Sequence, residues 1–283
     1  GGTAGGTAGG TAGGTAGGTA GGTAGGTAGG TAGGTAGGTA GGTAGGAAGG
    51  APAGVTSGLQ LWYRADVGTV TVGATTDLSA WQDQSVNARH ATSSATTRPA
   101  LINSNAEVGG RPTVRFTNDE LAFDGSFMAG TPYTVFTVAG RNGTNAGNFY
   151  LSGSSQTTNA NFVAGPENNT TLRLSQYGNN LDATVPAKAA GREWNLEVFW
   201  LDLATGHGIR RNGAVVATNT NTTTLSSWAG ARLGYFAPFD IRYDGDLAEI
   251  IMYNRFLPCA ERRAIEAELA MRWSLTWSSP ACP

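Results

Sequence analysis

The sequence predicts an all-β domain, a two-sheet sandwich with one C-terminal helix, preceded by an extended glycine-rich repeat arm. Three observations carry this. Residues 1–44 are eleven uninterrupted copies of Gly-Gly-Thr-Ala, followed by GGAA and GGAP. Strand-like runs separated by turn-rich stretches then fill most of the chain. One segment near the C-terminus has helical periodicity. The layout is a repeat arm at 1–52, a joint at 53–58 and the sandwich at 59–283.

The arm has no large apolar residue, so one copy cannot bury a core of its own. A collagen triple helix needs Gly at every third position, which a period of four violates. An α-helix loses about 0.8–1.0 kcal/mol for each Gly relative to Ala. An extended strand fits better, because one face then carries Gly and Thr and the other Gly and Ala. Both faces are small and smooth, and identical strands of this kind pair along a fibre. At about 3.3 Å per residue the 44 residues would span roughly 145 Å. The competing reading is a flexible tether, the usual behaviour of Gly-rich chains. The expected assembly residues are those of the repeat itself. They are Gly1, Gly2, Thr3 and Ala4 at its start, Gly21, Gly22, Thr23 and Ala24 midway, and Gly41, Gly42, Thr43 and Ala44 at its end.

The net charge of −2 gives no electrostatic case for nucleic acid or anionic membrane. The first charged residue is Arg64, so nothing in the arm repels a second copy. No apolar run approaches the roughly 18 residues of a membrane span. The chain opens on Gly rather than Met, and a cleaved signal peptide is the expected cause. The expected location is outside the cell or at its surface.

After the joint come LQLWY from Leu59, TVRF from Thr113, YTVFTVA from Tyr133, NFYL from Asn148 and TLRL from Thr171. WNLEVFWLD follows from Trp194, RLGYF from Arg232 and GDLAEIIMY from Gly245. Asn212-Gly213 within GIRRNGAVVA is a hairpin turn signal. The helix runs from Cys259 to Trp273, with Ile265, Leu269 and Trp273 on one apolar face. Pro258 suits a helix start, and Glu261 in the first turn favours the positive end of the dipole. Cys259 and Cys282 are the chain's two cysteines. They read as one disulfide of an exported protein, against the alternatives of free thiols or pairing between chains. The helix is roughly 22 Å long at about 1.5 Å per residue. The nine residues after it reach about 30 Å when extended, so a bond within one chain can close.

Several segments together resemble bacterial laminin-G-like, concanavalin A-like lectin-glucanase domains. LWYRADVG at 61–68 is one. AWQDQSVNARHAT at 80–92 is similar to the family form W-x-D-x-S-G-N-x-x-x-A-T. RPALINSNAEVGGRPTVRF at 98–116 and GDLAEIIMYNRFLPCAERRAIEAELAMRW at 245–273 are the others. The resemblance implies an antiparallel jelly-roll sandwich of the kind found in exported surface, adhesion and carbohydrate-binding proteins. Val86 stands where the family form has Gly, Pro258 where it has a capping Ser or Thr, and the cysteine pair lies outside the pattern.

The chemistry is sparse. Asp246 and Glu249 are three apart on a strand, which predicts opposite faces and no paired acid–base work. Asp83-x-Ser85-x-Asn87 offers oxygens to calcium, although Asp and Asn in such a turn more often cap nearby backbone. His90 and His207 have no ligand companions, so a zinc site is not expected. Asn142, Asn168, Asn169 and Asn221 open glycosylation sequons. Trp62, Trp194, Trp200 and Trp273 sit in strand or helix patterns and are assigned to the core, while Trp81 and Trp228 lie by turns and are the candidates for a sugar platform. The candidate ligand residues are therefore Trp81, Asp83, Asn87 and Trp228, with no catalytic residue and no cofactor beyond a calcium ion.

Two functions follow as expectations. The first is a secreted structural protein that is not an enzyme. Copies of the chain join through their arms into a filament, and the sandwich decorates it as a head. The alternative is a lectin-like adhesive module that binds glycans on a flexible stalk.

Overall fold

Alternating apolar and polar side chains become antiparallel strands in the computed structural model, which describes residues 50–278 and Cys282. Residues 1–49, which hold all the expected assembly residues of the repeat arm, lie outside the described residues.

The first sheet holds β1 (Leu59–Arg64), β5 (Ala100–Asn105), β6 (Arg111–Thr117), β8 (Tyr133–Arg141), β13 (Glu193–Asp202), β14 (Gly206–Arg211), β15 (Ala214–Thr218) and β19 (Asp244–Tyr253). Its order is β15-β14-β13-β8-β19-β6-β5. The edge of β19 away from β8 pairs first with β6 and then with β1. The second sheet holds β2 (Thr69–Thr71), β3 (Leu78–Trp81), β4 (Ala91–Thr92), β7 (Leu121–Ala122), β9 (Leu151–Ser152), β10 (Val163–Asn168), β11 (Thr171–Ser175), β12 (Asn180–Thr184) and β16 (Arg232–Leu233). Its order is β12-β11-β10-β9-β16-β7-β4-β3-β2. A short hairpin of β17 (Tyr235–Phe236) and β18 (Ile241–Arg242) forms a separate ribbon.

The two sheets form a sandwich. Between them lie Tyr63 stacked on Trp81, Tyr133 edge-on to Phe162, and Tyr150 against Phe199, all buried. The Asn-Gly hairpin forms as its residues require. Asn212 and Gly213 both take positive φ, +50° and +88°, between β14 and β15.

The single α-helix among the described residues is α1 (Cys259–Arg272), with Pro258 as its N-cap and Trp273 closing its last turn. Ile265, Leu269 and Trp273 are buried. Trp273 donates its indole N–H to Glu249 of β19 at 2.6 Å, and the Arg262 guanidinium lies over the Trp200 ring. The helix therefore covers the outer face of the first sheet and leaves the outer face of the second sheet without a helix. Cys259 at its start is bonded to Cys282, with their Cα atoms 5.7 Å apart.

The end of the arm and the joint are tied into this unit. Pro52 is buried, and the Val55 and Ser57 carbonyls accept hydrogen bonds from Tyr253 and Arg255.

Candidate functional site

The strands β10, β11 and β12 send alternate side chains to opposite sides. Leu172, Leu174, Leu181 and Ala183 enter the core, which sends Arg173, Ser175, Asn180 and Asp182 outward. Over this outer face Phe149, Val163 and Phe236 form a second apolar cluster, separate from the core, with Tyr177 and Ile241 packed against it. Between this cluster and the strands is a groove of about 340 Å³. It is lined by Phe149, Val163, Arg173, Ser175, Tyr177, Gly178, Asn180, Phe236 and Phe239.

Its rings are arranged by turns. Phe149 and Phe239 each meet Phe236 edge-on. Tyr177 lies nearly parallel to Phe239, with 6.5 Å between ring centroids and 14° between planes. Phe239 is 53 % exposed. Tyr177 is held at φ +43°, and Asp240, directly after Phe239, at +52°. Side chains are rare in this left-handed region, and holding one there costs about 1–3 kcal/mol.

The polar side of the groove centres on Arg173. Its Nε and Nη2 donate to the two Asp182 carboxylate oxygens at 2.8 and 2.9 Å, and Nη1 lies 2.8 Å from Glu167. The bonds to Asp182 hold the Arg173 pKa above its ordinary value. Burial pushes the Glu167 carboxyl up, against the pull of Arg173. Ser175 donates its hydroxyl to the Asn180 side-chain oxygen.

The residues singled out in the sequence lie elsewhere. Trp81 and Trp228 are 0 % and 2 % exposed, which corrects their assignment as a sugar platform. Trp81 stacks on Tyr63 and donates to the Arg64 carbonyl; Trp228 packs on Phe123 and Phe162 and donates to the Ser152 carbonyl. Apolar rings beside these turns pack under them. Asp83 is buried, and its carboxylate accepts four hydrogen bonds, from the Trp62, Ser85 and Arg89 backbone N–H groups and the Ser85 hydroxyl. That occupies about all of its lone-pair sites and leaves none for calcium. Asn87 donates to the Leu59 and Gln60 carbonyls. This loop thus staples β1 to the turn after β3. Its left-handed residue is Ala88, at φ +52°, so Val86 does not require a glycine's freedom. Among the described residues no group of three or more His, Cys, Asp or Glu side chains is placed to hold a metal.

The carboxylates differ from the expectation in two ways. The register of β19 shifts between Leu247 and Glu249, which breaks the alternation. Asp246 and Glu249 therefore share the outer face of the first sheet rather than opposite faces. Each is already bound. Asp246 accepts from Arg115, Thr113 and Asn105, and Glu249 from Arg272, Trp62 and Trp273. A second set, Glu193, Asn195 and Glu197 on β13, shares one face at spacing two and was not singled out in the sequence. Glu193 pairs with Arg141 at 2.7 Å and with Arg211 at 2.8 Å; Glu197 accepts from Tyr150 at 2.5 Å. The cavity beside them is about 10 Å³, room for about one water and no sugar.

No protein-family model matches the chain, and no curated protein matches it. Solved structures do. One is domain 4 of AbnA, a GH43 extracellular arabinanase from Geobacillus stearothermophilus, in complex with arabinotriose. It has a TM-score of 0.52 and 15% identity, over 77% of this chain and 100% of that one. Another is Trypanosoma rangeli sialidase in complex with 2,3-difluorosialic acid, with a TM-score of 0.51 and 15% identity over 83% of this chain and 36% of that one. A mutant of the same sialidase displaying trans-sialidase activity has a TM-score of 0.50 and 13% identity over 78% of this chain. The chain spans about a third of the length of these sialidase chains. What it shares with them at such identities is the fold: the sandwich read from the strand pattern is similar to that of domains in known glycan-processing proteins.

Proposed function

We propose that this chain is a carbohydrate-binding protein and that the groove on the outer face of the second sheet is its sugar site. The observation that carries this is the combination of the exposed Phe239 ring and the half-buried Tyr177 ring with Arg173, Ser175 and Asn180 across a space of about 340 Å³. A sugar ring has apolar C–H faces and a rim of hydroxyls. It needs flat apolar surface beside a few directional polar groups, within a cleft of about 300–1,000 Å³. The left-handed backbone at Tyr177 supports the reading, since such strain persists where surrounding structure fixes a side chain for a task. The arabinanase domain, solved with arabinotriose, adds support at the level of fold. Binding rather than catalysis is favoured because Asp246, Glu193 and Glu249 are each held by arginine and the cavity beside Glu193 and Glu197 has room for about one water.

The test is calorimetric titration of the full chain with oligosaccharides, beginning with arabinotriose, after a glycan-array screen. Phe239→Ala is expected to weaken binding about tenfold, or about 1.4 kcal/mol, with the melting temperature unchanged. An array without a hit, or an affinity that ignores Phe239, overturns the groove as the site.

The uninterrupted repeat, neutral up to Arg64, favours a second role in the same chain: association of arms into a filament that carries the sandwich as its head. The disulfide fits an exported setting. No helix among the described residues is long and apolar enough to cross a membrane.

A further inference from the structure

The groove's charge is unbalanced, and the imbalance bears on which sugars enter. Arg173 is its only charged lining residue. Two carboxylates, Asp182 and Glu167, hold that one guanidinium, and its Nε–Nη2 edge is filled by Asp182. Two carboxylates on one guanidinium leave this cluster beside the groove a surplus of one negative charge. A ligand carboxylate wants a free, flat guanidinium edge for two parallel bonds. Here that edge is taken, and an incoming anion meets the surplus charge beside a partly apolar cleft. The rest of the lining is rings, a hydroxyl and an amide, which suit uncharged hydroxyls.

We propose that the groove is selective for neutral oligosaccharides and excludes those carrying a carboxylate. This rests on the groove being the sugar site. It makes Asp182 and Glu167 specificity residues: they occupy Arg173 and so deny it to an acidic sugar.

The experiment compares matched pairs that differ in charge: lactose with sialyllactose, and methyl-esterified with free trigalacturonate. Each is titrated into the full chain, into Phe239→Ala, and into Asp182→Asn and Glu167→Gln. The neutral member of a pair is expected to bind at least about tenfold more tightly in the wild type. That gap should shrink in Asp182→Asn and Glu167→Gln, and also at high salt. Equal or tighter binding of the acidic member, with affinity still lost in Phe239→Ala, overturns the selectivity while the groove remains the site. Binding of no oligosaccharide, or binding indifferent to Phe239→Ala, overturns the groove itself and the selectivity with it. Asp182 is 43% exposed at its side chain and Glu167→Gln keeps the side chain's shape, and a thermal melt of each variant confirms that the fold is intact.

Discussion

Glu197 shows how a single buried acid links the interior of this sandwich to pH. It is 3% exposed, accepts the Tyr150 hydroxyl and lies 3.5 Å from Arg211. Burial raises its pKa, and the nearby Arg211 only partly offsets this. A carboxyl whose pKa is raised by folding is held more firmly in its protonated form by the native state. Its stabilising contribution is complete below the unfolded pKa and is lost as pH rises through the folded one. Glu197→Gln removes that proton and its pH dependence. Denaturant unfolding at a series of pH values from about 4.5 upward should show the variant gaining on the wild type as pH rises. A constant difference between the two would mean that Glu197 titrates alike in both states. His207 acts in the opposite direction: burial lowers its pKa, so its contribution falls as pH drops below the ordinary histidine range.

At the scale of elements, the longest strands and the helix were legible because each carries its own period. The runs from Leu59, Tyr133 and Trp194 became β1, β8 and β13, and the four-residue spacing of Ile265, Leu269 and Trp273 became the buried face of α1. RLGYF became two short pieces, because Gly234 takes φ +81° and packs its backbone so closely on the Phe116 ring that a side chain would not fit. β10 was missed: Gly165 and Pro166 mask it, and its pairing with β11 supplies what propensity lacks. The groove was missed for a related reason. Phe149, Tyr177, Phe236 and Phe239 each come from a different turn or strand end, and no local motif joins them. Glu193, Asn195 and Glu197 were legible in principle, at the strand period of two. The disulfide belongs to this scale as well. It closes a loop of sequence separation 23 around α1. Replacing Cys259 and Cys282 by Ala should cost about 3 kcal/mol, and so lower the melting temperature by roughly 6–12 °C in scanning calorimetry. An unchanged melt would mean that the buried face of α1 holds the C-terminus without the bond.

For the whole molecule, a groove that binds one sugar weakly gains most from being displayed many times. Linked copies on a surface turn later binding events into intramolecular ones, and avidity then exceeds single-site affinity by about 10²–10⁴. The repeat arm provides a physical route to such display. Its residues are small and it carries no charge, so, if the arms associate as proposed, their pairing should be cooperative and concentration-dependent. Two measurements on the full chain beside a chain starting at Ala51 separate the arm's roles. Calorimetry with a soluble oligosaccharide should give both the same affinity, since the groove lies between Phe149 and Phe239. On an immobilised glycan the full chain should be retained about a hundredfold longer, and electron micrographs should show fibres only when the arm is present. Single particles in both samples, with equal retention, would make the arm a tether and leave the sandwich to act as a monovalent head.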